Sequence, residues 1–149
     1  MKRICLFLAF FTLAACTPEP RPINYGHDAC VFCKMTVVSK QHAAEAVTSK
    51  WKGFTFDAIE CMVNYVQQQT ETEFAFLLVN DFLQPEELID ARTAHFLISE
   101  KMPSPMGAFL SAYEKREAAL EMQQSRTGAL FTWNELNRHF KKAGLNYYE

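Results

Sequence analysis

Two eight-residue stretches of this chain share one pattern, and the pair restricts its possible folds more than any other feature. Gly128-Ala129-Leu130-Phe131-Thr132-Trp133-Asn134-Glu135 aligns without gaps on Gly53-Phe54-Thr55-Phe56-Asp57-Ala58-Ile59-Glu60. Both copies read Gly-x-x-Phe, then Asp57 or Thr132, then x-x-Glu, the order of a turn, a short strand and a helix start. An Asp or Thr at the N-cap accepts a bond from a free helical N–H, and a Glu three residues on reaches back to the cap's own N–H, forming a capping box. At the same offset Ala43-Ala44 falls on Ala118-Ala119. The identities are few and chance is the alternative, but shared capping chemistry in register argues for a duplicated βββα-like unit.

The stretches around the repeat extend this reading. Ile59, Met62, Val63 and Val66 follow at helical spacing, which predicts a helix from Asp57 to about Gln69 with one face on a sheet. Met35 to Val38, Ala43 to Thr48 and Phe54 to Phe56 read as strands, since β-branched residues suit a pleated surface. Lys50-Trp51-Lys52-Gly53 reads as a turn, and Phe74 to Val79 as a buried strand. Later, Leu88 to Ala91, Ala94 to Ser99 and Ala108 to Tyr113 read as extended, and Met102 to Gly107, with Pro103 and Pro105, as a loop. Glu114 to Ser125 has strong helix formers, and Trp133 to Lys142 is expected to be a helix capped by Gly144. Trp51, Trp133 and the phenylalanines are assigned to the core. The expected class is α+β, with two related small subdomains at about residues 25–82 and 83–149, each a mixed β-sheet with a packed helix.

Ahead of this body stands a leader. Met1-Lys2-Arg3 is followed by an apolar run from Ile4 to Leu13, too short for the roughly 20 residues that span a bilayer, then by small residues before a cut site. Residues 1–15 therefore read as a signal peptide. Leu13-Ala14-Ala15-Cys16 resembles a bacterial lipobox, which implies cleavage before Cys16 and a lipid on its sulfur; an ordinary signal peptide cut elsewhere is the alternative. Residues 16–24, with Pro18, Pro20 and Pro22, read as an extended tether. The expectation is a lipid-anchored protein on the periplasmic side, on the inner or the outer membrane. Losing Lys2 and Arg3 makes the mature chain more acidic than the full chain's net charge of −2. Without a basic run, nucleic acid is not an expected partner.

The chemistry concentrates in His27-Asp28-Ala29-Cys30-Val31-Phe32-Cys33-Lys34-Met35, where two thiols and a thioether fall close together. Soft sulfur donors favour Cu(I) over harder ions. Lys34 stands where haem attachment would require His. Cys30, Cys33 and Met35 are the leading metal-ligand candidates, although Met35 could instead be a core residue opening a strand. With Cys5 in the leader and Cys16 lipidated, three cysteines remain, an odd number that leaves at least one thiol free or ligating. Cys61, in the first turn of the Asp57 helix, is either a further ligand whose thiolate the helix N-terminus favours or a buried core residue. Met106 beside Gly107 is equally a ligand or a packing residue, and His27 is a possible completing donor. Asp28, a hard donor, is assigned to capping the turn that shapes the motif. Met62 is assigned to the core, Met102 is left open, and His42, His95 and His139 are assigned to the surface or to satisfied core positions.

These residues are similar to those of the NosL family, copper-binding lipoproteins accessory to nitrous oxide reductase. The resemblance rests on the lipobox ending at Cys16, Asp28-x-Cys30-x-x-Cys33-x-Met35, Phe56-Asp57-x-x-Glu60-Cys61-Met62, and Met106-Gly107-Ala108 after a Pro-containing loop. It implies a Cu(I) metallochaperone, not an enzyme, that delivers copper to a recipient copper enzyme with the help of membrane transport and assembly partners. It also implies two related subdomains. Lys34 departs from the Gly found in many relatives. Two other functions compete: a structural zinc module completed by Cys61 and a His, in which Met35 would be idle, and a thiol–disulfide oxidoreductase using Cys30 and Cys33. Against the latter, the pair follows a Pro-rich tether and precedes an expected strand, whereas oxidoreductase pairs open a helix.

Overall fold

A computed structural model describes residues 19–143. The signal peptide, Cys16, the start of the tether and the expected Gly144 cap lie outside the described residues. The elements run β1 (Ala44–Thr48), β2 (Gly53–Phe56), α1 (Ile59–Gln68), β3 (Phe74–Asn80), β4 (Leu88–Asp90), β5 (His95–Ile98), β6 (Leu110–Tyr113), α2 (Arg116–Arg126), β7 (Ala129–Thr132) and α3 (Trp133–Ala143).

They form two sheets, ordered β2-β1-β3-β4 and β6-β5-β7. The class is α+β with two small subdomains, as expected, with the refinement that every strand pairing is antiparallel. Because β4 pairs with β3, the first sheet extends to Asp90. In the central strand β1, Ala44 and Ala46 stand beside Phe54, Phe56, Leu77 and Val79, their cross-strand partners. Partners in register share a face, and α1 packs on this one through Ile59, Met62 and Val63, all buried in the same cluster. Side chains of this size each contribute about 1.5–3 kcal/mol when fully buried. Glu45 points to the other face, where the backbone N–H of Arg21 donates to its Oε1. Ile23 is buried beside it in sequence, so the last residues of the expected tether lie against the first sheet.

The duplication is present in the topology, but in a different phase from the sequence match. In the first sheet β1 is flanked by β2 and β3, with α1 between those two in sequence. In the second, β5 is flanked by β6 and β7, with α2 between them. The repeated unit is therefore ββαβ rather than βββα, with β4 added to the first copy and α3 to the second. The aligned octapeptides fall on β2 with α1 and on β7 with α3, which are not equivalent positions. Ala44 lies in a strand and Ala119 in a helix. A gapless match of short strand-then-helix boundaries recurs wherever a strand feeds a helix, so it marks local grammar and not the phase of the repeat.

The two capping boxes also diverge. At the second, Glu135 Oε2 accepts from the N–H of Thr132 at 2.8 Å and from its hydroxyl at 2.7 Å, as expected. At the first, α1 begins after Ala58 with no side-chain cap. Asp57 and Glu60 are both buried, and each serves a neighbouring loop: Asp57 Oδ1 accepts from Val38 N–H, and Glu60 Oε1 from Ser104 and Ala108. Buried carboxylates must satisfy whichever donors surround them, and here those donors are tertiary. Met35 to Val38 is not a strand. It makes a single bridge, Thr36 to Ala29. Trp51 is half exposed at the tip of its turn, not in the core. No helix of the described residues is long and apolar enough to cross a membrane.

Candidate metal centre

Residues 24–37 form a compact looped segment pinned by its own backbone. Asp28 shapes it as expected: its Oδ2 accepts from the N–H of Asn24 and from the Arg21 guanidinium, both at 2.9 Å. Burial would raise the Asp28 carboxyl, but these donors outweigh it and hold the group below the ordinary range. Cys30 N–H donates to Met35 O at 2.8 Å, and Lys34 N–H to Cys30 O at 3.0 Å. Lys34 adopts φ of 67°, a left-handed conformation that favours Gly. The tight turn brings Cys33 N–H to 3.4 Å from Cys30 Sγ.

The third sulfur comes from elsewhere. Cys61 sits in the first turn of α1, and the Sγ atoms of Cys30, Cys33 and Cys61 all lie within 4.8 Å of one another, none of them in a disulfide. The loop is fastened to the β2 and α1 edge by Val31 N–H to Thr55 O at 3.0 Å and by the Thr55 hydroxyl to Ala29 O. Cys30 and Cys61 are buried and Cys33 is partly open. An ion would therefore enter at Cys33.

The electrostatics divide the three thiols. Hydrogen bonding from Cys61 is the largest influence on Cys30 and brings it down to about 5, against the opposing effect of burial, with further help from the backbone N–H groups of Asp57 and Cys33. Cys61 is pushed far up, first because its S–H donates to Cys30 and then by burial. Burial also raises Cys33, despite a bond from the Met35 N–H. The hydrogen bonding thus favours the thiolate at Cys30 and disfavours it at Cys61, for which the sequence leaves open a ligand thiolate or a buried core residue. The N–H of Asp57, ahead of α1, stabilises the sulfur of a different segment.

The other candidates are placed as follows. Met35 is about half exposed, at 53 %, and reaches Cys33 through its backbone N–H. Met106 is partly buried and packs on the core cluster that contains Cys30 and Cys61, and its N–H faces the Glu60 carboxylate. His27 is exposed in the turn before the motif. Met62 is core, as expected, and Met102 is buried with its sulfur 3.9 Å from the Tyr113 hydroxyl. His139 is exposed against Phe131. Sequence reasoning gave no part to Glu60 as a tie, and nothing local could have revealed it, because Ser104 is 44 residues away. A cavity of about 430 Å3 bounded by Thr48, Lys52, Tyr65 and Glu73 includes none of the three cysteines.

Three unbridged sulfurs suit a soft d10 ion of low coordination number. Among the described residues the Cys, His, Asp and Glu cluster contains three members, one short of the four donors of a structural zinc site.

Comparison with known proteins bears on the fold and the family. The crystal structure of the copper chaperone NosL from Shewanella denitrificans superposes with a TM-score of 0.69 at 18 % identity, over 79 % of this chain and 95 % of that one. No curated protein matches the chain by sequence. The NosL family model matches residues 22–140. That span takes in both subdomains and all three cysteines of the centre, and the chain belongs to the NosL family.

Proposed function

We propose that this protein is a metallochaperone whose cargo is Cu(I), held by Cys30, Cys33 and Cys61 with Met35 at the rim, and passed on to a recipient copper enzyme such as nitrous oxide reductase or to its membrane assembly partners. The observation that carries this reading is the convergence of three unbridged sulfurs within 4.8 Å. The hydrogen bond from Cys61 pulls the Cys30 thiol well below the ordinary thiol range, which favours the charged form that a monocation matches. Partial exposure of Cys33 and Met35 leaves the cargo within reach of an acceptor thiolate or thioether. Anchoring through a lipid on Cys16 would keep the carrier at the periplasmic face of the membrane. The role is transfer and not catalysis.

The test is metal choice under anaerobic, reducing conditions. The protein should bind Cu(I) far more tightly than Zn(II), with sulfur-dominated coordination. Cys30→Ser, Cys33→Ser and Cys61→Ser should each weaken Cu(I) binding by removing a donor. Met35→Leu keeps volume and apolarity, so a weaker Cu(I) affinity in that variant isolates the thioether. A Zn(II) preference indifferent to Met35 would establish the zinc module instead. Turnover of disulfide substrates without metal would establish the oxidoreductase.

A further inference from the structure

A second set of soft donors surrounds a cavity between the two subdomains. It measures about 240 Å3 and is lined by residues that include His42, Phe82, Met102, Met122, Lys101 and Arg126, and by none of the three cysteines. His42 enters from the segment before β1, Met102 from the loop after β5, and Met122 from α2. The cavity therefore exists only when the subdomains are docked.

His42 is 7 % exposed, and its Nε2 has no hydrogen-bond partner among the described residues. Its Nδ1 lies 2.9 Å from Ser39 Oγ. In the tautomer with Nδ1–H donating to that hydroxyl, Nε2 presents a bare lone pair, the arrangement in which a second hydrogen bond orients a metal-binding imidazole. Leaving such a buried atom unsatisfied costs about 1–3 kcal/mol, so this lone pair is there for whatever fills the adjoining cavity, water or a soft ion. Burial holds His42 below its ordinary range, which keeps the ring neutral. The ring is fixed edge-on to Phe82, with centroids 5.6 Å apart at 73°. Met102 is buried, with the Tyr113 hydroxyl donating to its sulfur at 3.9 Å and engaging one of the two thioether lone pairs, and Met122 packs on the same apolar cluster.

We propose that this cavity is a second Cu(I) site, with His42 Nε2 and the thioethers of Met102 and Met122 as its donors. The set is neutral and soft. Gln41 also lines the cavity but no carboxylate does, so calcium and magnesium lack the charged oxygen ligands they favour and zinc lacks a thiolate, whereas imidazole and thioether both suit Cu(I). Lys101 and Arg126 line the cavity too but are exposed residues, and long cationic side chains of this kind can carry their charged ends out into water. Their field repels a divalent ion more than a monovalent one, and it makes this site weaker than the thiolate centre. A weaker neutral site on the same carrier suits uptake or hand-over of the ion.

The inference stands apart from the cysteine centre and is tested with Ag(I), a redox-inert soft monocation, titrated into the whole reduced protein. Two equivalents should bind. The ring-nitrogen NMR signal of His42 and the methyl signals of Met102 and Met122 should move with the weaker one. The double variant Met102→Leu and Met122→Leu keeps core volume and should lose that equivalent while the tighter one persists. Binding at the cysteines alone, with the His42 signal still, overturns the second site and leaves the first intact. A His42 signal that moves with inorganic phosphate and not with Ag(I) overturns it in favour of an anion pocket. If the cysteine reading fails instead, His42 responds to the first equivalent added.

Discussion

The Glu60 carboxylate accepts the Ser104 hydroxyl at 2.5 Å across 44 residues of sequence, joining the helix that carries Cys61 to the loop that carries Met106. Ala108 N–H reaches the same oxygen at 3.4 Å. Both partner side chains are buried, so this tie between subdomains is shielded from water. Burial raises the Glu60 carboxyl above its ordinary range, and the Ser104 hydroxyl works against that rise.

Ser104→Ala removes the shorter of these bonds and leaves a buried acceptor underused. The expected cost is about 1–3 kcal/mol, read from chemical denaturation. Amide exchange in residues 102–108 should speed up relative to the sheets. Unchanged stability and exchange would show that the loop is held by packing alone.

The split among the three thiols can be titrated without metal. Thiolate absorbance in the ultraviolet should show one transition near pH 5, lost in Cys30→Ser. Because the Cys61 S–H is the main cause of that low value, Cys61→Ala should move the transition upward. Cys61→Ser keeps a hydroxyl donor and should move it less. A wild-type protein whose thiols all titrate in the ordinary range would contradict the assigned hydrogen bond.

Gly53 and Gly128 open the two matched octapeptides but stand in different surroundings. Gly128 has φ of 117°, and a Cβ there would run into the carbonyl oxygen of Ile98. Gly128→Ala should cost about 3 kcal/mol or more, from backbone strain and the need to move a strand. At Gly53 the nearest atom to an added Cβ is Glu45 Oε1, at 3.6 Å, and Gly53→Ala should change stability by about 1 kcal/mol or less. Equal effects in denaturant unfolding would restore the equivalence that the topology denies.

Anchoring is open to a direct check. Cys16→Ser should give unprocessed or soluble protein, since a single short apolar leader cannot replace acyl burial. A variant that fractionates with membranes as before, with a lipid-free mature terminus, would remove the lipobox from the account.

Most helices and strands were legible in order because they rest on short-range periodicity. The apolar positions of α1, the apolar run of β3 and the proline loop at 102–107 each declare themselves within about ten residues. The proximity of Cys30 to Cys33 was equally legible, since two residues of spacing leave a turn little choice. The Thr132 and Glu135 box formed because both partners stay near the surface, where no competing donor is close. The same pattern failed at Asp57 and Glu60 because burial surrounded those carboxylates with stronger local claims from Val38, Ser104 and Ala108.

By itself the sequence determined the α+β class, the local turn that pairs Cys30 with Cys33, and a supply of soft donors consistent with the NosL family. Only the tertiary structure decided that Cys61 joins that pair, that its hydrogen bond favours the thiolate at Cys30, that the repeat runs ββαβ, and that His42 meets Met102 and Met122 at one cavity. The physical reason is range. Spacing governs atoms a turn apart, whereas the meeting of a loop, a helix start and a second subdomain depends on antiparallel register and on which faces bury, and those are settled by the whole core at once.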